Sequence, residues 1–302
     1  MKIFLIGGFG YIGKRLIHAL SVEHTLIIFS KNTKNYSEFL NNSSLIIDEG
    51  SIEDETIFNS IKRHKPDIVI HLAALGGLKK CQQDPSQAFS TNVYGTFNVV
   101  NACCETRSKL IFCSSREVYG QTQNDESKED DPLSPQNVYG LTKYLGEKII
   151  ETNFLKNKLD YTILRISNVY GPDNTISGVN KMIKDAVDKN KISIQGGKQT
   201  MNFVYIDDVV KFIKIILGNK KTYQQVFNVG SFDNVSVQFF AEQIKSLITK
   251  TSFEYSEKPK IEINNFKLSL KKAISVLNYE PQTKLIDGIK NTIDYYSMIK
   301  QK

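Results

Sequence analysis

The chain has 302 residues, enough for a full core and for either one large α/β unit or a main domain with a smaller lobe. Its hydrophobic share of 40% and charged share of 24% are those of a soluble globular protein, and no apolar run reaches the roughly 18 residues of a bilayer-spanning helix. A formal charge of +7 is spread among interleaved acids, which points away from nucleic acid and toward a small anionic substrate. The four cysteines, at 81, 103, 104 and 113, have neither metal-ligand spacing nor the density of a disulfide scaffold. The expectation is a cytoplasmic protein with reduced cysteines, no metal and no membrane contact.

Residues 2–6 form an apolar run without polar alternation, as in a parallel strand buried on both faces. Gly7-Gly8-Phe9-Gly10-Tyr11-Ile12-Gly13 follows at once and leads into a helix over 14–20. Strand, glycine turn and helix in this order predict a dinucleotide site: Gly7 and Gly10 let the chain turn and a diphosphate approach, and Tyr11 and Ile12 lie where the helix N-terminus faces it. The second strand, 25–29, ends in Ser30 and Lys31, with Lys34 nearby, where an acid would mark NAD. A hydroxyl and cations suit a 2′-phosphate and favour NADP over NAD. A third strand at 45–47, a helix at 53–63 and a fourth strand at 67–72 follow, and Leu72-Ala73-Ala74 leaves small side chains where a cofactor ribose can lie. His71 reads as a packed strand-end residue. Residues 85–105 read as one long helix, in which Asn92 needs a partner and is expected to brace neighbouring backbone.

The fifth strand, 110–113, ends in Ser114-Ser115-Arg116-Glu117, and a helix starting at Tyr139 runs to about 154. Tyr139 and Lys143 are four apart and so share a helix face, where the cation can hold the phenol closer to phenolate; Tyr139 is the candidate base. Ser115, at a strand end, shares the crevice outside the carboxyl edge of the sheet with the glycine loop. Further strands are expected at 161–165, 192–194 and 227–230, a strand-to-helix turn over 203–210, and helices at 178–189, 208–217, 237–250 and 268–277, with Asp208 as an N-cap and 251–267 unpatterned. The fold class is α/β: a Rossmann-type doubly wound parallel sheet over 1–170, to which 203–230 returns, and a smaller mixed α/β lobe for substrate over 171–302.

Taken together, Gly7 to Gly13, His71 to Ala74, Asn92 to Gly95, Ser115 to Gly120, Tyr139 to Lys143, Asn168 to Pro172, Phe203 to Asp208 and Phe227 to Gly230 resemble an extended short-chain dehydrogenase/reductase of the NAD-dependent epimerase/dehydratase family, which acts on nucleotide sugars. The resemblance implies that Tyr139 takes a proton from a sugar hydroxyl, that Lys143 binds the nicotinamide ribose, and that Ser115 hydrogen-bonds the same sugar oxygen. It implies cofactor contacts at Ser30, Lys31, Leu72, Ala73, Ala74 and Asn92, substrate contacts at Ser115, Arg116, Glu117 and Asn168, and a homodimer through helices at 90–105 and 140–154.

The chain departs from that pattern in three places. Where 4,6-dehydratases carry Asp-Glu it has Arg116-Glu117, so Glu117 can serve as a base but the acid is absent. Where relatives hold the substrate diphosphate with an arginine it has Met201, and the five arginines end at Arg165, leaving Lys198, Lys258 or Lys260 as point charges. Ser51 stands where an acid often contacts the adenine. These departures rank a 4-epimerase of a nucleotide sugar first and a net 4-dehydrogenase or 4-keto reductase second. Dehydration and decarboxylation rank below them, and a non-catalytic redox-sensing protein is the reading from a different class.

Overall fold

The computed structural model describes residues 1–31, 39, 44–121, 126–174, 178–257 and 265–300. Lys34, Lys258 and Lys260 lie outside them. The chain divides into two compact units, Met1–Val118 with Pro135–Arg165 and Val210–Phe227, and Tyr119–Ser134 with Ile166–Val209 and Asn228–Lys302.

The first unit is built on a seven-stranded sheet in the order β10-β6-β5-β4-β1-β2-β3. The strands are β1 (Lys2–Ile6), β2 (Thr25–Ser30), β3 (Leu45–Glu49), β4 (Ile68–His71), β5 (Lys109–Ser115), β6 (Tyr161–Ile166) and β10 (Gln225–Val229). The run from β3 to β5 is parallel, with Ile6 beside Phe29 on one side and His71 on the other. Strands apolar on both faces can be buried only between helices, and Ile3 to Ile6, Leu26 to Ile28 and Leu110 to Phe112 have no measurable exposure. The chain winds outward from β1 in both directions, so β1 and β4 flank the switch point of a doubly wound sheet, as expected from the sequence.

Helices α1 (Tyr11–Leu20), α2 (Thr56–His64), α5 (Gly95–Thr106) and α6 (Val138–Asn157) pack on this sheet. The single helix expected over 85–105 is instead α4 (Pro85–Phe89), a π-helical turn (Ser90–Tyr94) and α5, preceded by α3 (Leu78–Gln83), which the sequence did not reveal. A π turn carries one residue more than an α turn and is common where a side chain must be redirected. Here it delivers Asn92 inward.

A buried ion pair fastens α6 to the sheet. Glu147 receives Arg165 Nη2 at 2.8 Å and Nε at 3.2 and 3.3 Å, and the Ser114 hydroxyl donates to the same carboxylate; the side chains of Glu147 and Arg165 are almost fully enclosed. One strand residue thus matches the charge of one helix residue, and a second strand satisfies its remaining oxygen capacity.

The second unit holds a three-stranded sheet, β11 (Asn234–Ser236), β9 (Thr200–Tyr205) and β7 (Asn168–Tyr170), and a two-stranded sheet of β8 (Lys191–Gln195) and β12 (Ser252–Ser256). Helices α7 (Gly178–Lys189), α9 (Val237–Leu247), α10 (Lys271–Leu277) and α11 (Leu285–Lys300) complete it. Its core is aromatic: Phe203 and Phe240 lie 4.8 Å apart by ring centroids, and Tyr170 packs edge-on against Tyr205 and Phe240 at 5.5 Å. Asp208 is no N-cap, because α8 (Ile206–Ile216) begins two residues earlier. Its carboxylate accepts the Gln282 and Thr283 amides at 2.9 and 3.1 Å, pinning the approach to α11. Among the described residues no His, Cys, Asp and Glu cluster could hold a metal, and no helix is long and apolar enough to cross a membrane.

Replacing one partner of the buried pair strands a charge, whereas replacing both removes the problem. Arg165→Met is expected to cost about 3–5 kcal/mol, or about 5–10 °C in melting temperature. Glu147→Met/Arg165→Met is expected to cost far less, as thermal denaturation of the three proteins would show.

Candidate functional site

Two groups of residues meet at the carboxyl edge of the first unit's sheet. The first is the turn after β1. Gly7 has φ +78°, a left-handed conformation that side chains rarely adopt, and a Cβ there would sit 2.9 Å from the Ala73 backbone nitrogen. The glycine therefore permits the β1 and β4 turns to touch, with the Leu72 and Ala73 amides both donating to Ile6 O at 3.0 and 3.1 Å. Gly10 caps α1 without a side-chain acceptor, and Tyr11 and Ile12 open the helix, whose N-terminus carries the positive end of the helix dipole. These features fit a dinucleotide diphosphate, and Leu72, Ala73 and Ala74, all partly exposed, border the same turn.

Asn92, delivered by the π turn, is buried and braces the strand-end loop, as expected of an asparagine inside a helix. Its Oδ1 accepts the Leu75 amide at 2.7 Å, and its Nδ2 donates to Leu75 O at 3.2 Å and to Thr142 Oγ1 at 3.0 Å. It thereby links the β4 loop to α6. His71 is a core residue: Nε2 meets Thr96 Oγ1 at 3.1 Å, the ring packs 5.5 Å from Phe112, and burial pushes its pKa down to about 3, leaving a neutral imidazole.

At the end of β2, Ser30 is half-buried and Lys31 is exposed. Lys31 Nζ forms an ion pair at 2.9 Å with Glu53, a residue not anticipated from the sequence. Glu53 also accepts from Gln87 Nε2 at 2.9 Å and from the Thr91 hydroxyl. Burial works against its charge, but these hydrogen bonds and Lys31 outweigh it and hold the carboxyl below its usual range. The cation expected to welcome a 2′-phosphate is thus already matched by a carboxylate from the segment after β3. The missing acid at the end of β2 was the available signal. Ser51 Oγ accepts the Glu53 amide at 3.1 Å and so shapes the same segment.

The second group joins β5 to α6. Asn137 caps α6, its Oδ1 accepting the Gly140 amide at 2.8 Å. Tyr139 and Lys143 come next, on one face. Lys143 Nζ donates to Cys113 O at 2.8 Å and lies 4.8 Å from the centre of the Phe112 ring. Burial pushes its pKa down to about 8, against the support of Cys113, Cys81 and Glu147. The Ser115 hydroxyl lies beside the Tyr139 phenol and favours its ionised form. Burial nevertheless raises its pKa well above the ordinary tyrosine value, and the Glu117 carboxylate adds to the rise. In the protein alone, desolvation therefore outweighs the lowering that sequence spacing suggested for the phenol. Ser115 thus stands at the end of β5, and Tyr139 and Lys143 on the first turns of α6. Arg116 and Glu117, only 4% and 5% exposed, pair with each other at 2.7 Å, Nη2 to Oε1. Asn168 belongs to the second unit, where its Nδ2 donates to Asn202 O at 3.0 Å, and Met201 is buried in β9 beside Val235 of β11.

Residues 3–230 match the NAD dependent epimerase/dehydratase family, and the chain belongs to it. It is an NAD(P)-dependent enzyme of that family. Among its relatives, UDP-N-acetyl-alpha-D-glucosaminuronate decarboxylase of Bacillus cytotoxicus is 30% identical over 321 residues, covering 99% of this chain and 98% of that protein. The crystal structure of UDP-glucose 4-epimerase from Thermotoga maritima with UDP-glucose superposes with a TM-score of 0.92 at 27% identity, over 99% of this chain and 100% of that one. UDP-glucuronic acid 4-epimerase from Bacillus cereus, in complex with UDP-glucuronic acid and NAD, gives the same TM-score and coverage at 25% identity.

The expectation that Lys31 faces the cofactor ribose can be tested at the Lys31–Glu53 pair. Glu53→Gln frees Lys31 for a phosphate and removes a like charge, so the ratio of NADP to NAD affinity is expected to rise about tenfold. Titrating both cofactors against the variant measures this, and parallel changes in the two affinities would remove the assignment.

Proposed function

We propose that this protein is a nucleotide-sugar 4-epimerase in which Tyr139, Ser115 and Lys143 carry out proton transfer at the sugar hydroxyl. The observation that carries the reading is the Ser115 hydroxyl beside the Tyr139 phenol, one helical turn from Lys143, next to a Glu117 whose carboxylate is engaged by Arg116. The similar structures from Thermotoga maritima and Bacillus cereus are 4-epimerases of UDP sugars, which supports the same substrate class here.

NAD(P), when bound, would accept and return hydride at the sugar carbon and, while oxidised, would carry a positive charge that favours the phenolate. Tyr139 takes the proton of the 4-hydroxyl and returns it after the sugar has presented its other face. Ser115 holds the oxygen that changes between hydroxyl and carbonyl. Lys143, fixed by Cys113 O, adds positive charge that favours the phenolate at the moment of transfer. Proton transfer by a positioned group contributes on the order of 10² to 10⁴ in rate. The substrate keeps its oxidation state, no water leaves, and the acid that dehydration requires is replaced by Arg116. The same reading takes the apolar hollow lined by Phe89, Val93, Tyr94, Phe97 and Ile149 as the seat of a second copy of the chain; Tyr94 is 55% exposed there.

A panel of UDP sugars, UDP-glucose and UDP-glucuronic acid among them, incubated in D2O with either cofactor and followed by nuclear magnetic resonance, tests this. The 4-epimer is expected, without carbon-bound deuterium and without net consumption of cofactor; loss of water or stoichiometric reduction would overturn it. Tyr139→Phe is expected to lower turnover at least 100-fold while cofactor affinity stays within a few-fold.

A further inference from the structure

Glu117 aligns with the carboxylate that serves as base in the 4,6-dehydratase pattern, yet its hydrogen bonds run elsewhere. Oε1 pairs with Arg116 Nη2 at 2.7 Å, and Oε2 accepts Asn137 Nδ2 at 2.8 Å. Asn137 in turn accepts the Gly140 amide at 2.8 Å as the N-cap of α6. The orientation of the Asn137 amide is chemically forced: a carboxylate can only accept and a backbone amide can only donate, so nitrogen must face Glu117 and oxygen must face Gly140. The Ser115 hydroxyl accepts the Glu117 amide at 3.2 Å and lies beside the Tyr139 phenol.

Backbone packing closes the same ring. A Cβ on Gly140 would stand 2.5 Å from Glu117 O, so the first turn of α6 rests directly on the Glu117 peptide. From Ser115 through Glu117, Asn137 and the first turn of α6 back to Tyr139, every link is a hydrogen bond or a chain neighbour. Arg116 supplies the matching charge that lets the carboxylate be buried there.

We infer that Glu117 is a positioning residue: through Asn137 its carboxylate sets the first turn of α6 against the end of β5, so that Tyr139 and Ser115 meet at one substrate oxygen, and it carries no substrate proton. This rests on Tyr139 being the base. Placement of this kind matters because misplacing reacting groups by about 1 Å can cost on the order of 100-fold in rate.

The test is a double-mutant cycle on the full-length protein with bound cofactor, using Glu117→Gln, Asn137→Ser and the pair. Serine is itself a good N-cap, so Asn137→Ser keeps the cap and removes only the link to Glu117. Each single change is expected to lower kcat about tenfold with KM within twofold. The double variant is expected to be no slower than the worse single, and Asn137→Ser should melt within a few degrees of the parent. Effects that multiply in the double variant, or a wild-type kcat for Asn137→Ser, would overturn the inference. Should Glu117→Gln not fold, Asn137→Ser alone decides on the same criterion. Undiminished turnover by Tyr139→Phe would instead sink the acid–base assignment and is read independently of the cycle.

Discussion

Lys143 is a buried cation that has exchanged water for one carbonyl oxygen and one aromatic face, and the arrangement of the first unit depends on keeping it there. Desolvation is the cost, visible in an ammonium whose pKa falls to about 8. The Cys113 carbonyl and the Phe112 ring offset part of it, the latter by about 0.5–2 kcal/mol. Both belong to β5, so the lysine can be satisfied only if α6 lies at one height along that strand. Glu147, one turn further on, enforces this height through Ser114 and Arg165, and Asn137 enforces it from the other end of the helix. Tyr139, between these fastenings, inherits its place from them.

The electrostatics around Tyr139 and around Lys31 differ in kind. Around Tyr139 the protein alone disfavours the charged form of both phenol and ammonium, so the pair is poised for a change that a bound positive charge would bring. At Lys31 the charges are already matched by Glu53, in an exposed setting where such a pair is worth little and can rearrange. The charges near Tyr139 are thus disfavoured by burial, whereas the pair at Lys31 is exposed and free to rearrange.

Features that depend on neighbours in sequence were legible. The apolar runs of the parallel strands, the glycine turn after β1 and the spacing of Tyr139 and Lys143 are local patterns, and the sheet and the helix arise from them. Asn92 was legible as a residue in need of a partner, although the π turn that turns it inward was not. The features that escaped have their partners far along the chain. Glu53 meets Lys31 across 22 residues, and Asn137 meets Glu117 across 20. Strand β12 has Phe253 and Tyr255 on one face but is short and mostly exposed within a polar stretch, and Asp208 resembled a cap because its amide partners, Gln282 and Thr283, are more than 70 residues away.

The π turn at Ser90–Tyr94 couples the inside of the first unit to its surface. A surplus residue shifts the reading frame of a helix surface by about 100°, so the segments before and after it show different faces to the same neighbour. Asn92 points into the network around Thr142, while Phe89, Tyr94 and Phe97 line a hollow on the outside. A single inserted position therefore governs an inner set of hydrogen bonds and an outer apolar surface together. A deletion of one residue there would rephase both at once, so the two cannot drift independently as the sequence diverges.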